Sequence, residues 1–240
     1  MDGEVRVALL EADHVDPPLR PIAGDYADMF VRSFGARAPE LTFERVDVVG
    51  GAPLPAVGAH DAVLVTGSRH GVGDGLEWVD ELSGFVRTAV DRAVPVVGIC
   101  FGHQLIAHAL GGQVARAGNG WGVGGHDTSV HTTRDWMLPS VERFRLLMSH
   151  QDQVVDLPDD ATVLAATSHA PIAAFEVGSA VGFQGHPEFA PAYLDALLAG
   201  RIERIGATRV AQARASLSAP TDHELVTDWL VGVLAGPARR

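Results

Sequence analysis

One junction constrains this chain more than any other stretch: an apolar run that passes into a helix through Gly98-Ile99-Cys100-Phe101-Gly102. Val94, Val96, Val97 and Ile99 are largely β-branched, the pattern of a strand buried on both faces in a parallel sheet. Leu105, Ile106, Ala109 and Leu110 then recur at helical spacing until Gly111-Gly112 stops them. Gly98 and Gly102 flank Cys100 as Gly-x-Cys-x-Gly, the cysteine form of a nucleophile elbow. A turn this tight brings backbones too close for a Cβ, which glycine lacks. Cys100, the single cysteine of 240 residues, would then stand at a sheet edge beside a helix N-terminus. The dipole and free N–H groups there favour thiolate over thiol. The plainer reading of the same residue is a small, buried core cysteine.

A second stretch, Gly185-His186-Pro187-Glu188, bears on that choice. Pro187 biases His186 towards an extended conformation, and an extended chain points His186 and Glu188 to the same side. The carboxylate could then fix the imidazole tautomer and support its charged form. Thiol, base and base-orienting acid are the three parts of nucleophilic catalysis. A surface His-Pro turn is the alternative.

Gly98-Ile99-Cys100-Phe101-Gly102-His103-Gln104 with Gly185-His186-Pro187-Glu188 downstream resembles the class I glutamine amidotransferases, the Cys-His-Glu group. Val63 to Ser68 and Met148-Ser149-His150-Gln151-Asp152 fit the same pattern in the same order. The likeness spans about residues 5–195 and is nearest to the free-standing, GMP-synthase-like members. It implies Cys100, His186 and Glu188 as catalytic residues. It also implies an oxyanion site made by the backbone N–H of Phe101 and of Gly67 or Ser68, between which the sequence does not choose. Gln104 is implied at the substrate's amino-acid end, and Trp121 and Gly124 in a loop over the glutamine. Trp121-Gly122-Val123-Gly124 could equally be a plain hairpin turn.

The chain at large suits one α/β domain: a mostly parallel sheet flanked by helices, with a small antiparallel extension and C-terminal helices. Residues 1–195 are expected to form the amidotransferase-like part, and 196–240 a helical extension packed on it. Thirty acidic against 18 basic residues give a net charge of −12, which disfavours nucleic acid and anionic membrane as partners. No apolar run has the length of a membrane span and no secretory leader is visible. A lone reactive thiol suits a reducing compartment, so cytoplasm is expected. Among eleven histidines no pair has metal-site spacing, and no metal or cofactor is expected.

In order, strands are expected at 5–10, 41–49, 61–66 and 94–99, with helices at 26–34, closed by Gly35, and 76–92. Residues 113–117 and 123–132 read as short strands. Strands at 162–167, 172–177 and 180–184 are assigned to the antiparallel extension. Helices follow at 191–198 and 208–217, and Thr221-Asp222-His223-Glu224 reads as a capping box for a last one. The three glycines in residues 67–73 predict a loop with more than one accessible conformation. His150 is read as positional.

Three functions are compatible with this pattern. One is a glutamine amidotransferase or glutaminase subunit, passing ammonia to an acceptor on a synthetase partner chain. Another is a γ-glutamyl peptidase acting alone with the same triad. The third is a non-catalytic binding member of the fold, against which the intact Cys100, His186 and Glu188 argue.

Overall fold

Three four-residue strands with every position buried form the centre of the sheet, as their continuous Val, Ile, Leu and Ala runs require. The structure is a computed structural model and describes residues 4–236. The first half of the chain runs β1 (Val5–Glu11), α1 (Arg20–Ala23), α2 (Tyr26–Arg37), β2 (Leu41–Asp47), β3 (Ala62–Val65), α3 (Glu77–Asp91), β4 (Val96–Ile99) and α4 (Phe101–Ala109). There follow β5 (Gln113–Arg116), β6 (Gly122–Val130), β7 (Arg143–His150), β8 (Asp152–Asp156), β9 (Thr162–Thr167), β10 (Ala174–Val177) and β11 (Ala180–Phe183). The last helices are α5 (Pro191–Gly200), α6 (Ile202–Ile205), α7 (Ala207–Ala215) and α8 (His223–Leu234).

Nine strands form one sheet in the order β2-β1-β3-β4-β11-β10-β9-β6-β7, and β5 pairs with β8 apart from it. From β2 to β11 the neighbours are parallel; from β11 to β7 they are antiparallel. Residues 180–184, expected in the antiparallel extension, thus do double service. β11 pairs parallel with β4, Gly182 opposite Gly98, and antiparallel with β10. That placement sets the ends of β3, β4 and β11 side by side at one edge of the parallel half. The carboxyl ends of such strands are where α/β folds build their sites.

Strand alternation divides the core between two faces. Val7, Leu9, Val97 and Ile99 pack with Phe30 and Phe34 of α2 and Trp229 and Leu230 of α8. Ala8, Leu10, Val63 and Val65 pack with Leu82 and Val86 of α3 and Leu105 and Ile106 of α4. Trp229 is fully buried and donates its indole N–H to Pro139 O at 3.2 Å. The last helix therefore shares the core of the sheet. Among the described residues no helix is long and apolar enough to cross a membrane.

Two helix ends differ from expectation. α2 continues through Gly35 to Arg37, whose guanidinium holds Asp228 of α8 at 2.6 Å; an interior glycine costs only about 1 kcal/mol, and Phe34 is buried. The capping box at Thr221 does not form. Asp222 stands at the N-cap without a side-chain cap, because its carboxylate accepts the Arg145 N–H at 2.7 Å and ties α8 to β7.

Candidate active site

Three chain segments leave adjacent parallel strands and meet: residues 66–71 after β3, Cys100 after β4, and residues 184–189 after β11. Cys100 has φ 54° and ψ −98°, a left-handed backbone that a non-glycine residue adopts only at a cost of order 1–3 kcal/mol. Its N–H donates to Phe183 O at 2.8 Å and its carbonyl accepts from Gln104 N–H at 3.1 Å, which hold the turn. The flanking glycines are there for space. A Cβ on Gly98 would lie 2.4 Å from the Gly102 carbonyl, and one on Gly102 would lie 2.5 Å from Val65 O. Cys100 is buried, as the core reading expects, and it also lines a cavity.

His186 is fixed from three sides. Its N–H donates to Leu147 O at 2.8 Å, its Nδ1 lies 2.7 Å from Glu188 Oε1, and the Phe189 ring stacks on it at 3.8 Å and 7°. The Glu188 side chain is wholly buried. With that carboxylate ionised, Nδ1 carries the hydrogen and donates it, leaving Nε2 to exchange a proton. Nε2 is buried and has no hydrogen-bond partner among the described residues. Burial pulls the imidazole's pKa down, but the neighbouring Glu188 and Cys100 outweigh it and hold the value above the ordinary histidine range. Phe189 is the part of this arrangement that sequence reasoning missed; its signal was only an aromatic directly after the carboxylate.

The loop after β3 is held by side-chain contacts at residues 68–70. Ser68 Oγ donates to Ala12 O at 2.9 Å and accepts from His70 N–H at 3.1 Å, and the Arg69 N–H donates to Asp13 at 2.9 Å. The Arg69 guanidinium also binds Asp13 and Asp16. None of Gly67, Gly71 and Gly73 has a positive φ. Gly67 serves close approach: a Cβ there would lie 3.1 Å from His186 Cε1 and 3.6 Å from Cys100 Cβ. Among the described residues the backbone N–H groups of Gly67, Ser68 and Phe101 have no partner.

Beside Cys100 opens a cavity of about 260 Å³ lined by Ser68, Gln104, Trp121, His150 and four arginines, among others. The Gln104 amide nitrogen donates to Asp152 O at 2.7 Å and to Gln184 Oε1 at 3.2 Å, leaving its carbonyl oxygen for a ligand. Trp121 reaches the cavity; Gly124 does not line it. Gly124 has φ 92° and presses against Ala213 and Ser216, at the seam between β6 and the C-terminal helices. His150 is buried, its Nδ1 3.1 Å from Asp152 O, and burial pushes its pKa down to about 3, so the ring is neutral.

A group with metal-ligand character lies elsewhere: Glu11, His14 and Asp25 bring ligand atoms within 4.8 Å of one another. Their capacity is already engaged. His14 Nδ1 meets Asp25 at 3.1 Å, its Nε2 meets Asp47 at 2.9 Å, and Asp25 accepts the Val15 and Tyr26 N–H groups. The group is an ion-pair and capping network at the start of α2.

Comparison with known proteins gives the geometry a context. The family model described as glutamine amidotransferase class-I matches residues 32–199. Gamma-glutamyl peptidase 2 of Arabidopsis thaliana is 29% identical over 192 residues, which cover 77% of this chain and 76% of that protein. The GMP synthase [glutamine-hydrolyzing] of Aeropyrum pernix is 32% identical over 169 residues, covering 69% of this chain and 31% of that longer protein. A glutamine amidotransferase crystal structure from Thermotoga maritima superposes with a TM-score of 0.76 at 22% identity, covering 96% of each chain.

Proposed function

The chain belongs to the class I glutamine amidotransferase family, and on that premise we propose that it is a cysteine amidase opening the side-chain amide of glutamine or of a γ-glutamyl compound. The observation that carries this reading is the pairing of a cysteine at φ 54° with a buried histidine held 2.7 Å from a buried carboxylate. A nucleophile held on a strained corner and a base with one nitrogen fixed and the other free are what acyl transfer requires.

The chemistry runs in two halves. Cys100 Sγ, its proton on His186 Nε2, attacks the δ-carbon of the glutamyl group, and the carbonyl electrons move to oxygen. The N–H groups of Phe101 and of Gly67 or Ser68 receive that oxyanion; losing one such donor costs about 3 kcal/mol of transition-state stabilisation. His186 then gives its proton to the departing nitrogen, releasing ammonia or an amine and leaving a γ-glutamyl thioester on Cys100. A water molecule, deprotonated by His186, opens the thioester; glutamate leaves and the thiol is restored. Glu188 keeps the imidazole oriented and supports its charge in both halves. Phe189 holds the ring flat from the other side.

Where glutamine is the substrate, the ammonia would go to an acceptor activated on a synthetase partner; where a γ-glutamyl peptide is the substrate, no partner is needed. The side-chain contacts at residues 68–70 support activity by the chain alone. The test is glutamate release from glutamine and from γ-glutamyl dipeptides by the purified chain. Replacing the nucleophile by Cys100→Ser should lower turnover at least about a thousandfold. Turnover near the parent's in that variant rules out the thioester.

A further inference from the structure

Four arginines line the Cys100 cavity, and two of them have no acidic partner. Arg69 is bound by Asp13 and Asp16, and Arg116 lies 3.6 Å from Asp152. Arg201 and Arg204 differ. Arg201 Nη1 touches only the Ser149 hydroxyl, at 3.2 Å, and Arg204 lies over the Trp121 ring, 5.5 Å from its centroid. Among the described residues neither makes an ion pair. In a chain of net charge −12, two unpaired guanidinium groups facing one cavity are an uneven use of scarce positive charge.

Their position in the chain is as informative as their charge. Arg201 sits at the turn from α5 into α6 and Arg204 within α6, and the family model ends at residue 199, just before them. They therefore lie just beyond the segment matched by the family model. Arg201 also reaches the second lobe of the site, where Cys100 meets His186, Phe189 and Leu197. The departing nitrogen must lie on that side, because His186 has to protonate it.

The charge balance separates the two substrate classes. Glutamine carries one carboxylate and one ammonium, and so no net charge. Asp74 in the cavity wall suits the ammonium, and a single carboxylate leaves one of the two free guanidinium groups uncompensated. A γ-glutamyl amino acid or peptide carries a second carboxylate beyond the scissile amide. Guanidinium is the side chain best shaped to take it, through paired N–H donors. Resting on the amidase reading above, we propose that Arg201 and Arg204 form a carboxylate-binding subsite that selects γ-glutamyl compounds with a carboxylate on the leaving part.

The experiment compares γ-glutamylglycine with γ-glutamylethylamide, which share the glutamyl group and differ in that carboxylate. Titration calorimetry on the full chain carrying Cys100→Ala reads binding without turnover. The dipeptide should bind at least about tenfold more tightly, the low end for a charge-assisted hydrogen bond. Arg201→Gln with Arg204→Gln should bring the ratio close to one. Arg204 is exposed, so Arg204→Gln alone supplies a foldable variant and should narrow the ratio in the same direction. Equal binding of the two ligands, or binding of neither, overturns the proposal. If the double variant weakens both ligands alike, the arginines hold the α-carboxylate common to both; the subsite falls and the amidase stands. If the dipeptide binds selectively yet the parent chain releases glutamate from neither compound nor from glutamine, the subsite stands and the amidase falls.

Discussion

Gly102→Ala sets two opposed effects against each other, and the structure decides between them. Gly102 is the second residue of α4, and alanine in a helix is favoured over glycine by about 0.5–1 kcal/mol. The new Cβ, however, would stand 2.5 Å from Val65 O, 3.0 Å from Val65 Cβ and 3.1 Å from the Val65 carbonyl carbon. Ordinary close carbon–oxygen contacts lie at about 3.3–3.6 Å, so α4 and β3 must separate by most of an ångström. Val65 is fully buried in a strand hydrogen-bonded on both sides, and none of the obstructing atoms is the free end of a side chain. Overpacking of this kind costs about 1–3 kcal/mol, which exceeds the propensity gain. At about 2–4 °C per kcal/mol for a chain of this size, Tm should fall by several degrees. Gly84→Ala is the matched control. It lies inside α3, where a Cβ meets nothing closer than the end of the Arg87 side chain at 3.8 Å, so Tm should rise slightly. Thermal melts followed by circular dichroism read both. A Gly102→Ala protein that melts with or above the parent would refute the close packing of the elbow on β3.

Two further outcomes follow from the buried titratable groups. Glu188→Gln removes the charge that offsets burial at His186, so the imidazolium becomes harder to form. Alkylation of Cys100 by iodoacetamide at pH 7, free of background because no other cysteine exists, should slow about tenfold or more; an unchanged rate means another group holds the histidine. His103 and His150 are held neutral by burial, with pKa values down to about 4 and about 3, below the ordinary 6.5. The unfolded chain then takes up protons that the folded chain refuses, so stability is present above about pH 6.5 and is lost as pH falls towards those values. Each histidine contributes a slope of about 1.4 kcal/mol per pH unit in that window. His186, whose folded value is raised, adds a smaller slope of opposite sign near pH 6.5, which vanishes towards pH 5 as the unfolded imidazole also becomes protonated. The urea midpoint should drop between pH 6.5 and 5, and a flat midpoint contradicts the burial of these rings.

What the sequence made legible were features whose physics is local. Gly98 and Gly102 mark an elbow because only glycine fits such a corner; of the extended His186-Pro187-Glu188 run that Pro187 suggests, His186 alone pairs as a bridge, to Leu147, while Pro187 and Glu188 lie in a turn. The β-branched runs identify buried strands for the same reason. Less legible was whatever depended on distant partners. The glycines of residues 67–73 look like freedom in the sequence and do not announce the contacts that Ser68 and Arg69 make with Ala12, Asp13 and Asp16. Thr221 and Glu224 spell a capping box, yet Asp222 is drawn to the Arg145 backbone instead. A true capping box at Asp25 and Asp28 went unread because it uses aspartate where glutamate is usual. Arg201 and Arg204 reach the site through tertiary packing alone, and no periodicity announces them.

The central claim is that Cys100 carries the γ-glutamyl group during turnover. Intact-mass spectrometry of the purified chain, mixed with glutamine or γ-glutamylglycine and quenched in acid within the first turnovers, tests it directly. The account predicts a single adduct with the mass of one γ-glutamyl group, mapped to the peptide containing Cys100 and absent from Cys100→Ala. Glutamate release with no adduct on Cys100, or an equal adduct in the Cys100→Ala protein, would contradict it.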